Sequence, residues 1–180
     1  MDMGKFNKIT NIYAYILFVM VALVFTPNHI DGQQLQITLP NFSRNLVNIY
    51  NSANGDTIIA KIRDNKKTEN YYGFTILEKR DSMLHVIAWC TRYKKKIKGW
   101  IKITDTGVYL SSNSSIYVIL YKEPNYKSKF IKIAVEGSYF VKVLDIYKSW
   151  LKVEFKIGHK VYRYWLPYEY QCPDIYNSCT

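Results

Sequence analysis

Residues 140–167, FVKVLDIYKSWLKVEFKIGHKVYRYWLP, carry the clearest apolar–polar pattern in the chain. Phe140, Val141, Val143 and Leu144 are apolar and strand-prone and run into the polar break Tyr147-Lys148-Ser149. From Trp150 the pattern alternates: Leu151, Val153 and Phe155 share one parity, and Trp150, Lys152, Glu154 and Lys156 share the other. A period of two predicts a strand with one buried face. Gly158-His159 predicts a turn, because glycine takes positive φ at no steric cost. Val161 to Leu166 predicts the returning strand, and Pro167, which cannot donate to a ladder, ends it. The expected unit is a meander of antiparallel strands.

A weaker copy lies upstream. Phe74-Thr75-Ile76-Leu77 corresponds to the run from Phe140 to Leu144, and Asp81-Ser82-Met83-Leu84-His85-Val86 to Lys148-Ser149-Trp150-Leu151-Lys152-Val153. Ser82 and Ser149 are 67 residues apart, Trp100 and Trp165 are 65 apart, and Tyr50 and Tyr121 are 71 apart. Two copies this long, each closing its own meander, predict two small β-domains rather than a solenoid. Around them, Leu35 to Leu39 alternates as a lead-in or edge strand ended by Pro40. Asn54-Gly55-Asp56 is a turn, and Ile58 to Ile62 is a strand. Arg63 to Asn70 is polar and without period, which predicts an exposed loop. Residues 104–115, with Asp105-Thr106-Gly107 and a serine-rich run, have the composition of a linker.

The second copy resembles bacterial SH3-like (SH3b) domains in Leu120-Tyr121-x-x-Pro124, Phe140 to Leu144, Trp150 to Val153 and Trp165-Leu166-Pro167. The first is similar but divergent. It keeps Gly99-Trp100-Ile101, has no early proline, and carries Met83 where the family has tryptophan. The ending Gln171-Cys172-Pro173 with Cys179 resembles secreted tandem SH3-like proteins. The resemblance implies an all-β chain: two small SH3-like barrels in tandem, preceded by a signal-peptide helix. The expected divisions are 1–32 signal peptide, 33–104 divergent SH3-like domain, 105–115 linker, and 116–180 SH3-like domain with a closed tail. Domains of this size sit near the lower limit for a self-sufficient core. The chain's 17 Tyr, 8 Phe and 4 Trp, all but five of them beyond residue 32, answer that need, since each large aromatic buries about 150–250 Å².

Lys5 and Lys8 precede an uninterrupted apolar run from Ile12 to Phe25. That is short for a spanning helix, which needs about 20 residues, and fits a secretory core. Cleavage near Gly32 would release the chain to the periplasm or the exterior; retention would leave it anchored, the one way in which a membrane becomes a partner. In an oxidising compartment, Cys172 and Cys179 are expected to form a local disulfide closing the tail, with two free thiols as the alternative. Cys90 shares parity with the predicted core residues Leu84, Val86 and Ala88 and is expected as a buried thiol.

The formal net charge of +11 favours polyanions through long-range attraction. Removal of residues 1–32 takes two lysines and two aspartates and leaves that balance unchanged. Arg92, Lys94, Lys95, Lys96 and Lys98 form the densest cluster, either a binding patch or a solvated hairpin that guards an edge. Export argues against nucleic acid as a partner.

Catalysis finds little support. Cell-wall peptidases that carry such domains need a cysteine, a histidine base and an orienting group. His85 lies on the strand face opposite Cys90, His159 falls in a turn, and His29 precedes the mature chain. No metal-ligand spacing is present, and no cofactor or metal is expected. The expected role is that of a non-enzymatic binding protein. Tyr121, Pro124, Trp150, Pro167, Tyr168 and Tyr170 occupy positions that the resemblance places beside a ligand groove. An aromatic strip there would take an extended cell-wall peptide or an envelope protein. The same rings could instead pack between domains, giving a structural accessory or inhibitor that acts through its inter-domain or basic surface.

Overall fold

The computed structural model describes residues 35–39, 46–68, 70–92, 96–111, 117–135 and 139–173. The targeting segment 1–32, Lys94, Lys95 and Cys179 therefore lie outside the described residues, and the expectations placed on them are not addressed by it. None of the described helices is long and apolar enough to cross a membrane.

The chain is all-β. In order, its strands are β1 (Gln36–Thr38), β2 (Val47–Tyr50), β3 (Ile58–Ile62), β4 (Tyr72–Arg80), β5 (Met83–Cys90), β6 (Ile97–Lys102), β7 (Gly107–Leu110), β8 (Tyr117–Tyr121), β9 (Phe130–Ala134), β10 (Tyr139–Tyr147), β11 (Trp150–Ile157), β12 (Lys160–Leu166) and β13 (Gln171–Cys172). All belong to one antiparallel sheet with the order β3-β2-β6-β5-β4-β1-β7-β10-β11-β12-β8-β9, and β13 also pairs with β7. Adding six to each label of the run β3-β2-β6-β5-β4 gives β9-β8-β12-β11-β10, the other end of the sheet. The repeat read from residue spacing is thus a repeat of topology. It extends to details. The long hairpin of each half breaks register at one place, between Ile76 and Glu78 and between Val143 and Asp145, while the break between Ile49 and Tyr50 on the β2–β3 ladder has no counterpart between β8 and β9. Each turns on one non-glycine residue of positive φ, Asp81 at 49° and Lys148 at 52°. In each half a 3-10 turn follows the hairpin, Ile103–Asp105 and Tyr168–Tyr170.

Residues 105–115 were expected as a linker, but they contain β7. All four of its residues are buried. One edge pairs with β10 from Gly107↔Lys142 to Leu110↔Tyr139. The other is divided: Thr38 of β1 opposes Gly107, and β13 opposes Tyr109 and Leu110. The pairing of β7 on β10 repeats that of β1 on β4, where Ile37 opposes Phe74. The pairing of β13 on β7 likewise repeats that of β7 on β1. β7 therefore serves as the last strand of the first half and the first strand of the second. A four-residue strand buried on both faces shows no alternation, and its flanks are turn-forming, so composition pointed to a loop. Among the described residues no ladder closes either half into a separate barrel.

The core follows the same continuity. Leu35, Ile37, Val108 and Leu110 join Phe74, Leu84, Val86 and Ile101 of one half to Leu120, Leu151, Val153 and Leu166 of the other in one cluster. An ion pair from Lys79 on β4 to Asp145 on β10 also spans the halves. The outer face of β5 is covered largely from within its own half. Met83 packs with Tyr50 and Trp100, and Trp89 lies across β4, where a Cβ on Gly73 would come within 2.1 Å of its ring.

Gly107 sits where β1, β7 and β10 meet. A Cβ there would stand 2.0 Å from Phe140 Cζ and 2.5 Å from the Val141 carbonyl oxygen. The ring could turn away, but the backbone oxygen cannot without shifting the ladder. Gly107→Ala is expected to destabilise the protein by about 1–3 kcal/mol, the usual range for overpacking, and to lower the midpoints of both halves together. Urea melts followed at Trp100 and at Trp165, in single-tryptophan backgrounds, measure this. Loss of one half with the other unmoved would contradict a shared strand.

Candidate ligand-binding site

The loop 122–129 between β8 and β9 is closed by its own polar groups. Lys122 N–H donates to Lys129 O at 2.7 Å and Ser128 N–H to Asn125 O at 3.2 Å. Glu123 N–H donates to Ser128 Oγ and Lys127 N–H to Asn125 Oδ1, both at 3.1 Å. This fixes the stem of Tyr126, whose ring lies 4.7 Å from that of Trp150, centroid to centroid. Tyr121, at the end of β8, meets Trp150 edge-to-face at 5.4 Å and Tyr126 edge-to-face at 5.6 Å. Phe130 flanks Tyr121 at 5.9 Å. Tilted and edge-to-face pairs of this kind suit the ring quadrupole and add to burial.

A carboxylate borders the rings. Glu169, in the 3-10 turn Tyr168–Tyr170, accepts a hydrogen bond from the Tyr126 hydroxyl at 3.1 Å. Desolvation, the Glu169 hydrogen bond and its negative charge push the Tyr126 phenol up to about 12. Burial first, then the same carboxylate, raise Tyr121 and Tyr170. The three phenols thus stay neutral donors at physiological pH. The turn itself follows Pro167, whose carbonyl accepts from Tyr170 N–H at 3.2 Å.

Of the residues expected in an aromatic strip, Tyr121 and Trp150 are in contact, and Tyr170 lies near enough to feel the same carboxylate. Pro124 is half-buried in the loop, Pro167 is buried, and Tyr168 is exposed. The expectation that Trp150 faces solvent is corrected: it is 6% exposed. Its parity does turn it away from Leu151, but Tyr121 and Tyr126 cover it. Tyr126, Phe130 and Glu169 were not singled out from sequence. Tyr126 belongs to a loop without period, and the role of Glu169 depends on a contact across 43 residues of chain.

In the first half Tyr50 and Met83 stand where Tyr121 and Trp150 do in the second, packed with Trp100, the counterpart of Trp165, and with Ala53. His85 stacks on Trp100 at 4.8 Å with the rings 9° apart, and Arg80 stands 5.3 Å over the same ring. Burial first, then the Lys98 charge, lowers the histidine pKa, opposed by Glu78. Cys90 is a free, buried thiol, on the face away from His85. Of the basic cluster, Lys96 and Lys98 are exposed, while Arg92 Nη1 donates to the Thr68 carbonyl at 3.0 Å and so ties the hairpin to the 63–72 loop.

No protein-family model and no curated protein matches the chain. Among solved structures, NlpC2 from Trichomonas vaginalis aligns with 18% identity over 76% of this chain and 47% of its own length, at a TM-score of 0.29. The chain thus spans less than half of that protein.

The segment from Arg63 was expected as an exposed loop. It is a loop that carries a 3-10 turn, Lys66–Thr68, inside the bridge Asn65↔Asn70, with Arg63 and Lys67 exposed and Asp64, Asn65, Thr68 and Asn70 half-buried. Asp64 Oδ1 accepts from Tyr72 N–H at 2.8 Å. Desolvation outweighs that hydrogen bond and raises the Asp64 carboxyl to about 6. The folded chain therefore holds a proton that the unfolded chain releases near pH 4. Stability from this group is highest below that pH, falls as pH rises to about 6, and is flat beyond. The effect is expected to be ~1 kcal/mol, reduced from the full shift because solvent screens a half-buried group. Asp64→Asn keeps the acceptor and removes the titration, so its urea stability should change less between pH 4 and pH 7 than that of the wild type. An equal change in both proteins would refute the assignment.

Proposed function

We propose that the protein is a secreted, non-catalytic binding protein built of two SH3-like barrels. Its second half recognises an extended peptide of the cell envelope, either a peptidoglycan stem peptide or a segment of an envelope protein. The observation that carries this reading is the ring cluster Tyr121, Tyr126 and Trp150 bordered by the Glu169 carboxylate. Flat rings contact an extended chain at low entropic cost, and a carboxylate at the rim gives its amides or amino groups a partner. The repeated strand order with a 3-10 turn after each hairpin supports the barrel reading. A disulfide from Cys172 to Cys179 would then pin the chain just after β13, in keeping with export to an oxidising compartment.

The alternative reading, a structural accessory or inhibitor acting through its inter-domain or basic surface, is favoured by one observation. Trp150 is nearly buried, with Tyr121 and Tyr126 packed against it, as a packing residue would be. Tyr126 separates the two readings because its side chain is 61% exposed. Tyr126→Ala should cost about 1 kcal/mol of stability, from its contacts with Trp150 and Tyr121, but weaken binding by about 2 kcal/mol or more if the strip is the site. Trp150→Ala, by contrast, should cost about 3 kcal/mol of stability. Tryptophan-fluorescence titration of the chain from residue 33 onward with purified stem peptides, and pull-down with peptidoglycan and envelope extract, supply the measurement. Wild-type binding that survives Tyr126→Ala unchanged would assign the rings to packing.

A further inference from the structure

A concave surface on the second half shares no lining residue with the ring cluster and differs from it in chemistry. It is a groove of about 600 Å³ whose lining includes Lys122, Lys156, Lys160, Tyr162, Arg163 and Tyr164. Tyr162 is held from behind, stacked on Phe155 at 5.5 Å with the rings 13° apart, and both tyrosines pack against the core. Lys160 Nζ stands 5.3 Å over the Tyr162 ring and Lys122 Nζ 5.8 Å over the Tyr164 ring. These contacts hold the ammonium groups at the groove instead of letting them sweep through solvent. The one carboxylate in the lining, Glu154, accepts from Arg163 Nε at 2.8 Å. Lys122, Lys156 and Lys160 have no ion-pair partner among the described residues. Three unneutralised cations thus line one groove of a chain with net charge +11.

We propose that this groove is an anion-binding site, and that its ligand is a linear polyanion carrying phosphate or sulfate groups. Three cations on two strands and the end of a third suit several charges in a row better than a single ion. Lysine acts as a compact point charge with rotatable donors, which suits tetrahedral oxyanions. The planar fork that would favour carboxylates is engaged, since Arg163 is turned to Glu154. Such binding releases counterions and weakens steeply with salt. The inference stands apart from the aromatic strip, and either can fail without the other.

Calorimetric titration of the chain from residue 33 onward tests it, with tripolyphosphate and dextran sulfate as polyanions and inorganic phosphate as the single-ion control. At low salt at least one polyanion should bind, inorganic phosphate should bind far more weakly, and log affinity should fall linearly with log salt. The tighter of the two polyanions identifies the phosphate or sulfate source. The double substitution Lys156→Ala with Lys160→Ala, at exposed positions, should weaken binding at least tenfold with an unchanged melting temperature. Lys156→Arg with Lys160→Arg should keep most of it. Lys96→Ala with Lys98→Ala should lose less than threefold. The proposal is overturned if neither polyanion binds, if the Lys156/Lys160 alanine variant binds as tightly as wild type, or if the Lys96/Lys98 variant loses as much.

Discussion

The ladder position of β7 constrains the rest of the molecule. A short strand with both faces buried must have its backbone donors and acceptors met on both edges, because unpaired groups in that setting each cost on the order of 1–3 kcal/mol. β10 meets one edge, and β1 with β13 divide the other. Both 3-10 turns feed this junction: Thr106 O accepts from Val143 N–H at 3.1 Å, and Tyr170 O accepts from Ser111 N–H at 3.0 Å. Neither half can complete its sheet without the strand that the other also uses. The two halves are therefore held in register by backbone hydrogen bonds, and the surfaces built on the second half have a rigid base.

On that common skeleton the two halves differ by a few side chains. Trp165 faces Lys152 across the ladder as Trp100 faces His85. Tyr121 faces Trp165 as Tyr50 faces Trp100. What changes is the filling. Met83 and Ala53 give the first half a small cluster under Tyr50. Trp150 and Tyr126 give the second a larger one that reaches solvent. The loop after β2 turns on Gly55, at φ 74°, whereas the loop after β8 turns on side-chain hydrogen bonds that hold an aromatic residue outward. One topology thus supports an inward-packed cluster in one half and an outward ring cluster in the other.

This contrast also explains what could be read from the sequence. Long strands with one wet face were legible: Leu151, Val153 and Phe155 are buried as their parity required, and the spacing of Ser82 and Ser149 gave the repeat. β7 was not legible, because a strand buried on both faces has no period and its pairing partners are distant in sequence. The direction of Trp150 relative to the core was legible, yet its exposure was not. Parity says which side of a sheet a residue leaves, and nothing about a loop such as 122–129 folding over that side. Glu169 and the groove lysines escaped notice for the same reason, since only the fold brings Lys122 to Tyr164.

The aromatic content shows how such a chain can carry many rings at its surface. Lys152 stands over Trp165 and Lys148 over Tyr147, as Lys122, Lys160 and Arg80 stand over Tyr164, Tyr162 and Trp100. Each charged group stands 5.3–5.8 Å from a ring centroid, an arrangement that shields apolar area without burying it. High charge and high aromaticity are in this sense one device. The two most exposed aromatics among the described residues, Tyr126 and Phe130 at 61% and 54%, are not among these pairs. Both gather around Tyr121, and Tyr126 also donates to the Glu169 carboxylate. An apolar patch left without the shielding used elsewhere on the same surface is where covering by another chain would gain most, and this favours the ring cluster over the rest of the sheet as the place for a peptide.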